Sequence, residues 1–163
     1  PPAVTETPVV PTNPPAVSAF KVNDTFEVGG ASYRITDATE GKLSVTYVKL
    51  ISKKAVKAIV PATVKYMDAQ FKVTKIGPSA FAKCNKLKTL IIEKNVEEIG
   101  SNAFSGCGSL KKVSVKTTAL KKVGAKALKK VNKKCVIKVP KGYKKAYDKL
   151  FKKKGQAKSV KVK

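Results

Sequence analysis

Residues 76–98 read IGPSAFAKCNKLKTLIIEKNVEE and residues 99–122 read IGSNAFSGCGSLKKVSVKTTALKK, so the same Ile-Gly pair recurs after 23 residues. The other matched positions are Ala80-Phe81 with Ala103-Phe104, Cys84 with Cys107, Leu87 with Leu110, Leu90 with Val113, and Ile92 with Val115. A degraded third copy begins at Val123-Gly124 and ends in a strand over 135–139. A period of this length predicts a solenoid, in which each coil is stable only when neighbouring coils cover it.

The second half of each copy predicts a strand. Leu87, Leu90 and Ile92 follow the spacing L-x-x-L-x-L. In that spacing a short strand sends alternate side chains inward, and strands of successive coils pair at about 4.8 Å.

The first half of each copy predicts a turn. The segment 78–84 suits one helical turn, with a proline at its first position and an inner face made of Ala80, Phe81 and Cys84. Glycines at the start of the three copies (Gly77, Gly100, Gly124) allow the chain to turn tightly there.

The repeat I-G-x-x-A-F-x-x-C-x-x-L-x-x-L-x-I resembles the leucine-rich repeats of bacterial surface antigens, the BspA-like type. The flanks 55–74 and 123–163 also resemble the pieces that precede and close such arrays in secreted proteins of anaerobic Gram-positive bacteria. The resemblance implies an α/β repeat fold, namely a short right-handed leucine-rich-repeat solenoid. It also implies an extracellular, non-catalytic module, commonly at the end of a larger surface protein, and it leaves the ligand open.

The composition divides the chain into four parts. Residues 1–19 carry six of the nine prolines and predict a semi-rigid linker. We interpret this segment as joining an upstream domain, the alternative being a ragged N-terminus. Residues 20–75 predict a β-rich N-terminal cap with an irregular first repeat, residues 76–140 the leucine-rich repeats, and residues 141–163 a C-terminal cap.

The two caps are predicted from local patterns. Strands over 25–28 and 32–36 around Gly29-Gly30 indicate a hairpin, further strands are expected over 43–48, 57–60 and 71–74, and Pro61 should lie at a strand end or edge. Tyr143, Tyr147, Leu150 and Phe151 form the apolar stripe of a helix of about three turns. We expect this helix to end at Gly155, and its last turn to contain Lys152, Lys153 and Lys154. Residues 159–163 are expected to form an edge strand at the natural C-terminus.

Catalytic chemistry is disfavoured by the composition. The 163 residues include no histidine, which excludes histidine-based triads and most zinc sites. Cys84, Cys107 and Cys135 could form a disulfide, a metal site or a nucleophile, but we interpret them as free, buried core thiols because no base or Cys-x-x-Cys spacing accompanies them. We therefore predict a protein without enzymatic activity and without a cofactor or metal.

The charge is large and uneven. Lysine and arginine number 35 against 10 acidic residues, giving +25, and residues 111–163 hold 21 of the basic residues and one acid. Arg34 is the only arginine, so specific nucleic-acid recognition is disfavoured, whereas the lysines favour loose, salt-dependent contact with polyanions. The candidate polyanion contacts are Lys121, Lys122, Lys126, Lys129, Lys130, Lys133, Lys134, Lys144, Lys145, Lys152, Lys153 and Lys154.

These observations predict a secreted or cell-surface binding and adhesion module that associates with anionic cell-wall polymer through its lysine-rich end. The alternative is a protein-interaction module whose sheet face, carrying Thr89, Ile91, Lys112 and Ser114, binds a host or bacterial surface protein. We expect a monomer. No apolar run approaches the length of a membrane-spanning helix.

Overall fold

The computed structural model describes residues 19–163, so the predicted linker lies outside the described residues except for Ala19. Within them the chain forms twelve strands and one helix. The elements are β1 (Thr25–Val28), β2 (Ala31–Asp37), β3 (Ser44–Leu50), β4 (Lys57–Val60), β5 (Thr63–Tyr66), β6 (Ala69–Ile76), β7 (Thr89–Ile92), β8 (Glu98–Ile99), β9 (Lys112–Val115), β10 (Lys122–Val123), β11 (Val136–Lys138), α1 (Lys144–Phe151) and β12 (Lys161–Val162).

Two sheets form the opposite sides of a solenoid. Sheet A has the order β1-β2-β3-β6-β8-β10, with β5 paired to β6, and sheet B has the order β12-β11-β9-β7-β4. All the pairs in sheet B are parallel, as are β6 with β8 and β8 with β10. Each coil therefore adds one strand to sheet B, and the predicted repeat solenoid is confirmed.

The core is a column of side chains from equivalent positions of successive coils. Leu87, Leu90 and Ile92 are completely buried, as the strand spacing predicted. The rings of Tyr47 and Phe81 stack with centroids 5.0 Å apart, and Phe81 lies 5.7 Å from Phe104. Aromatic contact therefore runs from the N-terminal strands into the repeats.

The segment 78–84 is not the helical turn that its sequence predicts. It forms consecutive β-turns closed by hydrogen bonds from Ala82 N to Ser79 O (2.9 Å) and from Cys84 N to Phe81 O (3.2 Å). Ser79 and Lys83 adopt positive φ angles of 56° and 60°, which a helix does not contain. The inner face is as predicted, because Ala80, Phe81 and Cys84 are buried.

The glycines at the start of the coils serve a different purpose from the one expected. Gly100 and Gly124 do not have positive φ angles. A Cβ on Gly100 would lie 2.6 Å from the carbonyl carbon of Gly77, and a Cβ on Gly124 would lie 2.6 Å from that of Gly100. These two glycines therefore permit the backbones of stacked coils to touch.

The N-terminal strands follow the predicted pattern. β1 and β2 form the antiparallel hairpin around Gly29-Gly30, and Pro61 directly follows β4, which is an edge strand of sheet B. The second hairpin, β5 with β6, was not predicted.

The C-terminal helix is shorter than expected. α1 spans eight residues, buries Tyr147 and Phe151, and ends at Lys152, which is extended. Gly155 is therefore not the residue that ends the helix, and Lys152–Lys154 do not fill its last turn, which contains Lys149 instead. Residues 152–157 form the turn of a further coil, because Leu128 N donates to Lys154 O over 2.9 Å. β12 then pairs in parallel with β11 as an edge strand.

Candidate functional site

The twelve candidate lysines lie on several sides of the C-terminal coils rather than in one patch. Eleven of them are exposed and Lys154 is half-buried. Lys121 and Lys122 lie at sheet A, Lys133 and Lys134 on the loop before β11, and Lys144 and Lys145 on α1. The remaining six are brought together by the stacking of two turns.

We call these six the turn-face lysines: Lys126, Lys129, Lys130, Lys152, Lys153 and Lys154. The first three belong to one coil and the last three to the next. The two coils are in direct contact, since the position of a Cβ on Gly155 lies 3.2 Å from the Cα of Lys129. Their side chains therefore share one surface.

The turn-face lysines are not neutralised by neighbouring acids. Asp148 is the only acidic residue in 111–163, and its carboxylate accepts a hydrogen bond from Lys144 Nζ at 2.6 Å. Among residues 19–163, no turn-face lysine takes part in a salt bridge. The surface therefore carries uncompensated positive charge.

Two other candidates are already paired. Lys121 lies 2.6 Å from a carboxylate oxygen of Glu97, and Lys144 is held by Asp148 as described above. Such exposed pairs are weak, about 0–1 kcal/mol, but they cancel charge locally. Lys121 and Lys144 are therefore weaker candidates for polyanion contact than the turn-face lysines.

The four sheet-face candidates do form one patch. In sheet B, Thr89 pairs with Lys112 and Ile91 pairs with Ser114, so the four side chains are cross-strand neighbours. All four face outward, while Leu90 and Val113 between them are buried. Lys112 is exposed, whereas Thr89, Ile91 and Ser114 are half-buried.

The same outer face extends beyond these four residues. Ile59 pairs with Ile91 and is 48% exposed, and at the other end of the sheet Lys161 pairs with Val136 and Lys138 pairs with Ser114. On β4 the exposed Lys57, which pairs with Thr89, lies on the same face as Ile59, so this strand carries one basic and one apolar side chain, while β12 carries a basic one. The alternation of inward and outward residues within β11 and β12 would have been enough to predict that Lys138 and Lys161 lie on this outer face.

The three cysteines are free and buried, as predicted. Cys107 Sγ donates to the carbonyl oxygen of Phe81 at 3.0 Å. Burial raises the pKa of the Cys107 thiol to about 12 and that of Cys135 to about 11. A thiol with such a pKa is protonated at neutral pH and is a poor nucleophile.

We expect the native thiols to resist labelling by a disulfide reagent at pH 8 and all three to react in denaturant. Because the pKa of these thiols is raised in the folded protein, the free energy of unfolding falls as the pH rises. The stabilisation by the protonated thiols is fully present below the unfolded pKa of about 8.5 and is lost as the pH rises towards 11–12. Urea unfolding from pH 8 to 10 checks this, with Cys107→Ala as the control that should flatten the slope. Rapid native labelling at pH 8 would contradict the prediction.

Residues 19–163 contain no group of three or more Cys, Asp or Glu side chains placed to hold a metal ion. In the same range, no helix has the length and apolar character needed to cross a membrane.

Stacked coils, parallel strands and an inward-facing leucine column define the class of leucine-rich-repeat proteins. The family described as BspA type leucine rich repeat region, in six copies, matches residues 57–163. The chain therefore belongs to the BspA-type leucine-rich-repeat family. Proteins of this type are repeat scaffolds for binding, generally without enzymatic activity and typically found at cell surfaces.

Solved structures support the fold. A leucine rich cell surface protein from Faecalibacterium prausnitzii A2-165 is similar with a TM-score of 0.58 and 23% identity, over 73% of this chain and 37% of that one. A leucine-rich repeat protein from Bacteroides capillosus is similar with a TM-score of 0.59 and 24% identity, over 72% of this chain and 83% of that one. No curated protein matches the chain. This chain thus spans little more than a third of the Faecalibacterium protein.

Proposed function

We propose that this chain is an extracellular binding and adhesion module that associates with anionic cell-wall polymer through the turn-face lysines. The observation that carries the proposal is the stacking of two lysine-bearing turns on one surface, where no lysine of the six has an acidic partner among residues 19–163. Clustered positive charge raises the local concentration of a polyanion and releases its counterions on contact. We also propose the division of the chain that the sequence predicts, with a linker over 1–19, an N-terminal cap with an irregular first repeat over 20–75, repeats over 76–140 and a C-terminal cap over 141–163.

Three of the turn-face lysines occupy backbone positions that favour glycine or asparagine. Lys126, Lys130 and Lys153 adopt positive φ angles of 55–56°, a conformation in which a lysine is strained by about 1 kcal/mol. In the preceding coil the equivalents of Lys126 and Lys130 are Asn102 and Gly106, which tolerate this conformation. Lysine is therefore present in this coil where asparagine or glycine would be less strained, and Lys83 has the same conformation at the position equivalent to Lys130 in the coil that starts at Ile76.

A variant with all six turn-face lysines changed to glutamine tests the proposal. We expect binding to walls that carry glycerol-phosphate teichoic acid to weaken by about tenfold or more, because the local field is lost. Sedimentation of the protein with purified walls, over a series of salt concentrations, measures this. Walls stripped of teichoic acid should retain the wild-type protein poorly.

The matched control removes the same charge elsewhere. Six exposed lysines of the N-terminal half are changed to glutamine in a second variant: Lys21, Lys42, Lys49, Lys53, Lys54 and Lys65. We expect this variant to bind nearly as well as the wild type. Equal losses in both variants, or wall binding unaffected by salt, would overturn the proposal.

The second candidate function is protein binding through the outer face of sheet B. The exposed Ile59 beside Ile91 favours it, because apolar side chains on an open sheet face suit a protein partner. The two functions are distinguished by Ile59→Ser with Ile91→Ser. Loss of surface adhesion in this variant, with adhesion kept by the six-glutamine turn-face variant, would favour the protein partner.

A further inference from the structure

A second cationic site lies on sheet A, outside the lysine-rich coils. It is a surface depression of about 410 Å³ lined by Arg34, Thr46, Val48, Lys75, Gly77 and Pro78. Arg34 lies on β2, four strands away from Lys122 on β10. The depression and the turn-face lysines therefore belong to different ends of the molecule.

The polar residues of the depression form a row across three strands. Arg34 pairs with Thr46, and Thr46 pairs with Lys75, so the three side chains point to the same side of the sheet. Neighbouring strands are about 4.8 Å apart, which places the backbones of Arg34 and Lys75 about 10 Å from each other. Both long side chains can reach one anion lying over Thr46.

A β-bulge makes this row possible. Phe71 and Val73 of β6 face the core, and strict alternation would turn Lys75 inward as well. The pairing of β6 with β3 shifts after Val73, where Thr74 is the extra residue, so Lys75 faces outward and Ile76 takes the core position. Bulges of this kind commonly redirect a side chain at a functional site.

A second register shift lies beside the first. In the pairing of β2 with β3, Ser32 is opposite Lys49 and Tyr33 is opposite Tyr47, so Val48 is the extra residue. Val48 lines the depression together with Pro78. The site thus combines two cations and a hydroxyl with a small apolar wall.

The floor of the depression depends on Gly77. A Cβ there would lie 3.2 Å from the carbonyl oxygen of Tyr47 and 3.4 Å from the methyl carbon of Thr46. Any larger residue would therefore occupy the space above Thr46.

Arg34 is the free cation of the site. Among the described residues it forms no salt bridge, whereas Lys75 Nζ lies 3.6 Å from a carboxylate oxygen of Glu98. Glu98 lies on β8, which pairs with β6 on the side opposite to β3. Glu98 and Thr46 therefore lie on opposite sides of Lys75. The planar guanidinium suits a carboxylate or a phosphate, since it can donate two parallel hydrogen bonds.

We infer that this depression binds an anionic saccharide unit, with the oxyanion between Arg34 and Lys75 and the sugar ring against Val48 and Pro78. The oxyanion can be the carboxylate of a uronic acid or a sugar phosphate, which share this chemistry. The inference does not rest on the proposed role of the turn-face lysines.

The single arginine provides the assay. Its Nε–Hε group gives one NMR cross-peak, which needs no further assignment. Glucuronate and glucose 6-phosphate are the two probes, which distinguish the carboxylate from the phosphate, and neutral glucose is the control. We expect a saturable shift with at least one charged sugar, and none with glucose.

Variants are followed through the backbone amides of Thr46 and Gly77. Arg34→Gln should weaken binding at least tenfold and Arg34→Lys by less, while Lys72→Gln, an exposed lysine of the same strand as Lys75, should leave it unchanged. A shift that follows ionic strength without saturating, or an unchanged affinity in Arg34→Gln, would overturn the inference. The six-glutamine turn-face variant should bind these sugars like the wild type.

Discussion

Replacing Gly124 by alanine is expected to lower the free energy of unfolding by about 3 kcal/mol, and Gly100→Ala by a similar amount. In both cases the added Cβ meets backbone atoms of the preceding coil, which cannot rotate away as a side chain can. The glycine amides also hold the coils together, since Gly124 N donates to Ile99 O at 2.7 Å and Gly100 N to Ile76 O at 2.8 Å. Relieving the clash would break these bonds. Urea denaturation of the two variants measures the effect.

Gly108→Ala is the matched control. No atom lies within 4 Å of a Cβ at this position, and its φ is not positive. We expect an effect close to zero, or a small gain from the lower entropy of the unfolded chain. If all three alanine variants were equally stable, the close approach of the coils would be refuted as the reason for the two glycines.

The contact between the last two coils, at Leu128 with Lys154 and at Lys129 with Gly155, also has a functional consequence. The turn-face lysines come from two coils, and they share one surface only while those coils remain in contact. Coils in a solenoid are stabilised mainly by their neighbours. A variant that separates the coils should therefore also weaken wall binding, even though its net charge is unchanged.

The inner positions of the coils could be predicted because burial repeats with the sequence period. Leu87 and Leu110 are buried in successive coils for the same reason that they align in the sequence. The backbone of the turn could not be predicted in this way. Apolar residues at i, i+1 and i+4 fit a helical turn and also fit the consecutive β-turns that the stacked coils impose on residues 78–84.

The C-terminal segment is a second place where the local sequence pattern does not predict the backbone. Gly155 is a reasonable helix stop by local rules, yet α1 ends at Lys152 because the chain must continue as a further coil against Leu128. The depression at Arg34 had no sequence signal either. It depends on two register shifts between strands that are distant in sequence, and the pattern within each strand does not reveal how it pairs.

The aromatic column should be the most sensitive part of the core. Phe104→Ala is expected to lower the free energy of unfolding by about 3–5 kcal/mol, because the ring is completely buried and packs against Phe81. Phe104→Leu should cost only about 1 kcal/mol, since Leu128 fills the equivalent position of the next coil. The urea midpoints of the two variants measure these losses of stability. In limited proteolysis, cleavage of Phe104→Ala should begin in the coils after residue 104, because these coils lose the packing of the ring. Wild-type stability of Phe104→Ala would show that the ring does not couple the coils.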